Sequence, residues 1–210
     1  MKYSKIIALA GLVGLLSACN KDPLKDLSLE DSQVFITNHD ESVNFKQFKT
    51  FSILDSVLVV GNQGNGATLT DLDIKFLTSV ARNMENLGYT YVSPKDNPDV
   101  GINVAQVRNA YLNVVSQPLS PYAGSYWGGG YGYGYGPGYG YGYPSTYSYY
   151  QTQENYWYLE MLDFKNPDVQ NKKLNVIWNA EIRGSGLFDA EYIDGVIQSV
   201  FKQSQYLKIN

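Results

Sequence analysis

Apolar residues recur along this chain at two different spacings, and the switches between them mark out its elements. The segment SQVFITNHD (32–40) alternates in part between apolar and polar positions, which predicts a strand. FKTFSILDSVLVV (48–60) predicts a second strand, rich in β-branched residues, and GNQGNGA (61–67) reads as a loop. The period then changes. Leu69, Leu72, Phe76, Val80, Met84 and Leu87 follow one another at intervals of three and four, which places them on one face of a helix. Thr70 and Asp73 have the spacing of a reciprocal cap at its start, and Gly88 stands where a C-terminal cap belongs.

Beyond that helix, YTYVS (89–93) predicts a short strand and PKDNPD (94–99) a turn. Val100, Ile102 and Val104 alternate with Gly101, Asn103 and Ala105, the pattern of a half-buried strand with room to run on to Val115. NYWYLEMLDF (155–164) and LNVIWNAEIRGSG (174–186) predict two more strands around a turn at 165–173. Asp189 is placed to cap a second helix, whose Tyr192, Ile193, Val196, Ile197, Val200 and Phe201 form one apolar face. The predicted order is β-β-α-β-β-β-β-α. Two helices with a single apolar face each most economically cover one face of a sheet, so the expected class is α+β: a two-layer α/β sandwich with a mostly antiparallel sheet.

The first residues follow another logic. Met1 to Lys5 is short and basic, IIALAGLVGLL is apolar but brief for a membrane span, and Leu16-Ser17-Ala18-Cys19 closes the run. This order reads as a secretory signal, and its end looks like a bacterial lipobox, in which the cysteine thiol receives a diacylglyceryl group. Cys19 is the single cysteine of the chain's 210 residues, which excludes an internal disulfide. The expected organisation is a signal peptide at 1–18, a polar tether at 19–31, and one domain over 32–210, about the length that one core serves. The acidic and lysine residues after Cys19 partly resemble the surface-export signals of Bacteroidota lipoproteins. The expected location is therefore the bacterial cell envelope, lipid-anchored at the outer membrane, on its periplasmic side or at the cell surface.

Charge narrows the partners. Without Lys2 and Lys5, 14 basic residues face 20 acidic ones, a net charge of −6 that argues against nucleic acid and anionic lipid. The membrane is instead expected to be met through the N-terminal lipid, with an envelope protein or a glycan as the further partner.

One stretch departs from every pattern above. WGGGYGYGYGPGYGYGYPSTYSYY (127–150) lies in a low-complexity insert over 116–150, and residues 122–150 hold eleven of the nineteen tyrosines and ten of the twenty glycines. No charged residue stands between Arg108 and Glu154. Glycine costs conformational entropy in a strand, and Pro137 and Pro144 interrupt a ladder, so a loop at the tip of a hairpin is favoured over an ordered strand pair. An aromatic patch for glycan, peptidoglycan or self-association is the alternative use, and Trp127, Tyr131, Tyr133, Tyr135, Tyr139, Tyr141 and Tyr143 are its candidate contact residues.

Catalytic chemistry is sparse. The sole histidine, His39, stands beside no recognisable nucleophile motif, so it reads as a surface residue rather than a triad member. No HExxH or EF-hand spacing occurs, and no metal or other cofactor is expected. GNQGNG lacks the Lys-Ser/Thr of a phosphate loop. Asp71 and Asp73 complement a helix dipole, and the two Asn-Pro-Asp triplets at 97–99 and 166–168 read as turns. Glu160, Asp163 and Glu181 could gather across adjacent strands, although charge on a solvated sheet face is the plainer reading.

The lipobox, NFKQFKTFSIL, the helix ending in LGY, NPDVGINV, and LEMLDF followed by NKKLNVIWNAEIRG together resemble the bacterial lipoprotein family known as domain of unknown function 4136. The resemblance covers nearly all of the chain after the signal apart from the Tyr/Gly insert. It implies an envelope lipoprotein with an α/β body, and it brings no catalytic residues. The leading expectation is a non-enzymatic envelope lipoprotein that binds or scaffolds another component. A binding module for carbohydrate or an apolar small molecule comes next, and a hydrolytic or lipid-modifying enzyme third.

Overall fold

A computed structural model of the chain describes residues 30–61, 66–108, 155–168, 170 and 173–210, with the backbone of 115–117 and 146–148. β1 (Val34–His39) lies at one edge of the main sheet, antiparallel to β10 (Lys173–Arg183). β10 is antiparallel to β9 (Tyr156–Asp168), and β9 to β6 (Val100–Arg108). Beyond β6 the sense changes. β2 (Thr50–Ile53) runs parallel to the first half of β6 and β3 (Val57–Gly61) parallel to its second half. β5 (Thr90–Tyr91) is parallel to β2, and β4 (Gly66–Thr68) is antiparallel to β3. The architecture is the expected α+β sandwich, built on a mixed open sheet.

The predicted strand over 48–60 is two strands interrupted at Leu54 to Ser56, although Leu54 N–H still donates to the Ile102 carbonyl at 2.9 Å. The parallel pairings have a simple cause. A parallel neighbour needs a crossover connection, and α1 (Asp71–Asn86), which follows β4 in the chain, is part of the one that leads from β2 to its parallel neighbour β5. Thr70 caps α1 as its spacing predicts: its Oγ1 accepts from Asp73 N–H at 3.2 Å, and Asp73 Oδ2 accepts from Thr70 N–H at 2.8 Å. Gly88 takes φ +102°, the left-handed turn a helix end requires. Leu69, counted in the apolar stripe, precedes the cap and is exposed. At the second helix, α2 (Ile193–Gln203), Asp189 is not the cap. Its Oδ1 accepts from Glu191 N–H in a turn ahead of the helix, and Tyr192 opens α2 with no side-chain hydrogen bond.

The apolar faces of both helices meet one face of the sheet. Phe76 stacks on Trp157 with ring centroids 3.9 Å apart, and Trp157 Nε1–H donates to the Leu187 carbonyl at 2.8 Å. From α2, Phe201 lies 5.7 Å from Trp178, whose indole N–H donates to Ser204 Oγ. Val80, Met84, Val196, Ile197 and Val200 complete this core with Val100, Ile102, Val104, Leu159 and Met161. The C-terminus closes on the end of α1, through Ile209 N–H to the Leu87 carbonyl and Tyr89 O–H to the Leu207 carbonyl, each at 3.0 Å.

The two Asn-Pro-Asp triplets behave differently. In the first, Asn97 adopts φ +51°, and Asp99 Oδ2 accepts from Lys49 N–H at 2.6 Å and Thr50 N–H at 3.2 Å, so this turn anchors the start of β2. The second, Asn166 to Asp168, was expected to form a turn but continues β9, while Asp163 Oδ1 accepts from the N–H groups of Lys165 and Asn166.

A separate ribbon pairs β7 (Val115–Gln117) antiparallel to β8 (Thr146–Ser148). Its register continues that of the central hairpin. Val107 faces Tyr156 at the end of the β6–β9 ladder, and Val115 faces Ser148, eight positions further along each arm.

Candidate functional site

Side chains alternate along a strand, so the main sheet carries a second set directed away from the helices. On β6 these include Asn103, Ala105 and Val107, and on β9 Tyr156, Tyr158, Glu160 and Leu162. Most of them form an apolar cluster of their own, in which Ala105, Val107, Tyr156, Tyr158, Leu162 and Leu174 join Leu54 and Leu58.

A polar row crosses this second face. Asn38 on β1 stands opposite Asn179 on β10, Asn179 opposite Glu160 on β9, and Glu160 opposite Asn103 on β6. Asn38 Nδ2–H donates to Asn179 Oδ1 at 3.2 Å, and Asn103 Nδ2–H donates to Glu160 Oε1 at 2.7 Å. The row passes from solvent to interior: Asn38 is exposed and Asn179 half-buried, whereas Glu160 and Asn103 are 0% exposed. A buried carboxylate is tolerated only where hydrogen bonds replace its water, and Asn103 supplies one such bond. Near the rim, Arg183 Nη2 pairs with Glu181 Oε2 at 3.0 Å, and the guanidinium lies 4.7 Å from the centroid of the Tyr156 ring.

The three carboxylates considered from the sequence therefore do not act together. Glu160 bonds Asn103, Glu181 pairs with Arg183, and Asp163 accepts from the backbone after it. Nor do Glu160 and Asp163 sit on a solvated face, since both are buried. Continuous apolar character on both sides of a strand was the available signal. NYWYLEMLDF offers Tyr156, Tyr158 and Leu162 on the face opposite Trp157, Leu159 and Met161, as a strand covered on both faces does. Among the described residues, no three His, Cys, Asp or Glu side chains gather as a metal site would require.

His39 ends β1 and is exposed, its ring stacked on Tyr206 at 3.9 Å with Phe45 6.2 Å away. Ser42 and Asp40 stand close in sequence, but the Ser42 hydroxyl donates to Asp40 Oδ1 at 2.6 Å. A nucleophile would give that proton to an imidazole. The two hydrogen bonds from Ser42, side chain first and then backbone, hold the Asp40 carboxyl below its ordinary pKa. A second buried polar chain links α1 to β6: Gln106 Nε2–H donates to Asp73 Oδ1 at 2.7 Å, and Gln106 Oε1 accepts from Arg108 Nε–H at 3.1 Å. Asp73 thus ties the helix start to the sheet as well as capping the helix. Cys19, Trp127, Tyr131, Tyr133, Tyr135, Tyr139, Tyr141 and Tyr143 lie outside the described residues.

Comparison with known proteins adds the following. The family model described as Domain of unknown function (DUF4136) matches residues 36–204. The crystal structure of a DUF4136 family protein from Bacteroides thetaiotaomicron VPI-5482 is similar at 28% identity and a TM-score of 0.62, over 86% of this chain and 100% of that one. A PelC dodecamer from Paraburkholderia phytofirmans is similar at 13% identity and a TM-score of 0.41, over 85% of this chain and 99% of that one. No curated protein matches the chain.

Proposed function

Since this chain belongs to the DUF4136 family, whose description assigns no reaction, we propose its function from its own residues: a lipid-anchored bacterial envelope protein that binds or scaffolds another envelope component without catalysis. The observation that carries this reading is Leu16-Ser17-Ala18-Cys19 behind a basic and apolar leader, followed by a polar tether. Acyl chains on Cys19 would hold the body at a membrane, each buried CH2 contributing roughly 0.8 kcal/mol. Within the body, the acidic side chains that might have carried chemistry serve the fold: Asp73 and Asp99 cap elements, Asp163 turns the backbone, and Glu160 and Glu181 have side-chain partners. The side chains proposed to meet a partner are Trp127 and the tyrosines of 131–143, a composition that brings aromatic area and hydroxyls with no charge to desolvate.

A carbohydrate-binding module is the second reading. It draws on the outer end of the polar row, where the Asn38 and Asn179 amides offer donors and acceptors beside the exposed Val34 and Ile36. The anchor is tested by metabolic labelling with an alkyne fatty acid. Wild-type protein should take up the probe, and Cys19→Ala should lose it and accumulate as unprocessed precursor. Equal labelling of the two would overturn the proposal.

A further inference from the structure

β1 closes one side of the main sheet, and among the described residues β10 is its one strand neighbour. Asp40 N–H donates to the Ile177 carbonyl at 3.1 Å, a pair in register with the β1–β10 ladder. Hydrogen-bonded pairs alternate along antiparallel strands, so Asn38, Ile36 and Val34 also turn their backbone groups toward β10. Phe35, Thr37 and His39 turn theirs outward, along an edge of six residues whose register with β10 is unbroken. The strand has none of the features that blunt an edge, since VFITNH holds no lysine, no proline and no acidic residue. By contrast β5 and β4, which end the sheet elsewhere, are two and three residues long. We propose that β1 is a strand-accepting edge, which takes from a partner protein an extended segment with apolar residues at alternate positions and Lys or Arg at both ends. The inference rests on β1 and its flanks alone, independently of the anchor and of the aromatic residues of 127–143.

Two observations define the occupant. The first is an apolar strip beside the edge. Val34 and Ile36 are 52% and 41% exposed on the sheet face opposite the helices, where an added strand would set every other side chain next to them. On the helix side the half-buried Phe35 and the His39 ring, stacked on Tyr206, border the same edge. The second is charge. Asp31 precedes β1 and Asp40 and Glu41 follow it, all three exposed, while Arg183, which faces Val34 across the ladder, is paired with Glu181. Backbone hydrogen bonds would hold the added segment, the strip would favour apolar residues at alternate positions, and carboxylates at both ends would favour cationic flanks. A second copy of this chain fits less well. Two-fold antiparallel pairing of β1 with itself would bring Asp31 of each copy close to Asp40 and Glu41 of the other, between two chains that are both net negative.

The probe is a fluorescein-labelled peptide, Lys-Lys-Val-Thr-Val-Thr-Val-Lys-Lys, titrated with the full chain in non-ionic detergent at low salt and followed by anisotropy. It should bind saturably. The same peptide with its central amides N-methylated keeps every charge and loses its strand hydrogen bonds, so it should not bind, and a version flanked by Glu should not bind either. In the protein, Thr37→Pro removes an outward N–H and leaves the ladder with β10 in place, and it should weaken binding at least about 10-fold. Glu41→Lys should weaken it about fivefold at low salt. Replacing residues 127–143 by a short Gly/Asn turn should leave the affinity unchanged. Urea unfolding establishes that Thr37→Pro is folded. If it is not, the N-methylated peptide and Glu41→Lys decide. Four results would overturn the proposal: no saturable binding of the basic peptide, equal binding of its N-methylated form, undiminished binding by folded Thr37→Pro or by Glu41→Lys, or a dimer in light scattering that Thr37→Pro separates, which would give the edge to a second copy.

Discussion

Tyr89 shows how a single buried hydroxyl gives stability a pH dependence. It is 3% exposed, its hydroxyl donates to the Leu207 carbonyl, and burial raises its pKa well above the ordinary value of 10.0. Above that value an unfolded chain ionises this tyrosine while the native protein does not. The contribution to stability is therefore complete below about pH 10 and lost progressively as the pH rises beyond it. Tyr89→Phe should cost about 1 kcal/mol at neutral pH through the lost hydrogen bond. The gap between wild type and variant should then narrow in urea titrations taken above about pH 10. A gap that stays constant with pH would show that Tyr89 ionises alike in both states. At this scale the sequence was legible where chemistry is local: Thr70 and Asp73 cap α1, as their spacing predicts. It was not legible at Glu160. A carboxylate between Leu159 and Met161 has the periodicity of a solvent-facing residue, and only the burial of its neighbours across three strands removes it from water.

At the scale of elements, α1 illustrates why periodicity is informative. Phe76, Val80 and Met84 are each 0% exposed, and Phe76 lies flat against Trp157. Phe76→Ala removes a ring from a dense contact and leaves a cavity, so it should cost about 3–5 kcal/mol in urea unfolding. A loss under about 1 kcal/mol would contradict the placement of that ring in the core. Other element features depend on distant parts of the chain. Gly101 reads as an ordinary strand residue, yet a Cβ there would meet the Phe164 ring at 2.2 Å, so its smallness makes room for an aromatic side chain sixty-three positions away. The break between β2 and β3 and their parallel pairing with β6 were equally hidden. Alternation reports which side of a strand is apolar and carries no information about its neighbours or their direction.

For the whole molecule, the two-layer arrangement followed from counting one-faced helices, whereas the burial of the sheet's second face did not, because the pattern along a strand does not report what packs against it. The proposed function is contact rather than catalysis, with Trp127 and the tyrosines of 131–143 as the side chains offered to a partner. Replacing 127–143 by a short Gly/Asn turn should barely shift the thermal midpoint, since loop length enters stability at about 0.6 kcal/mol per doubling. The most direct measurement is cross-linking in living cells of the lipidated full chain against this shortened variant, matched for abundance and lipid labelling. The expected result is an envelope partner joined to the full chain and lost from the variant. A variant that remains folded, anchored and cross-linked to the same partners would contradict the assignment and return the contact to the α/β body.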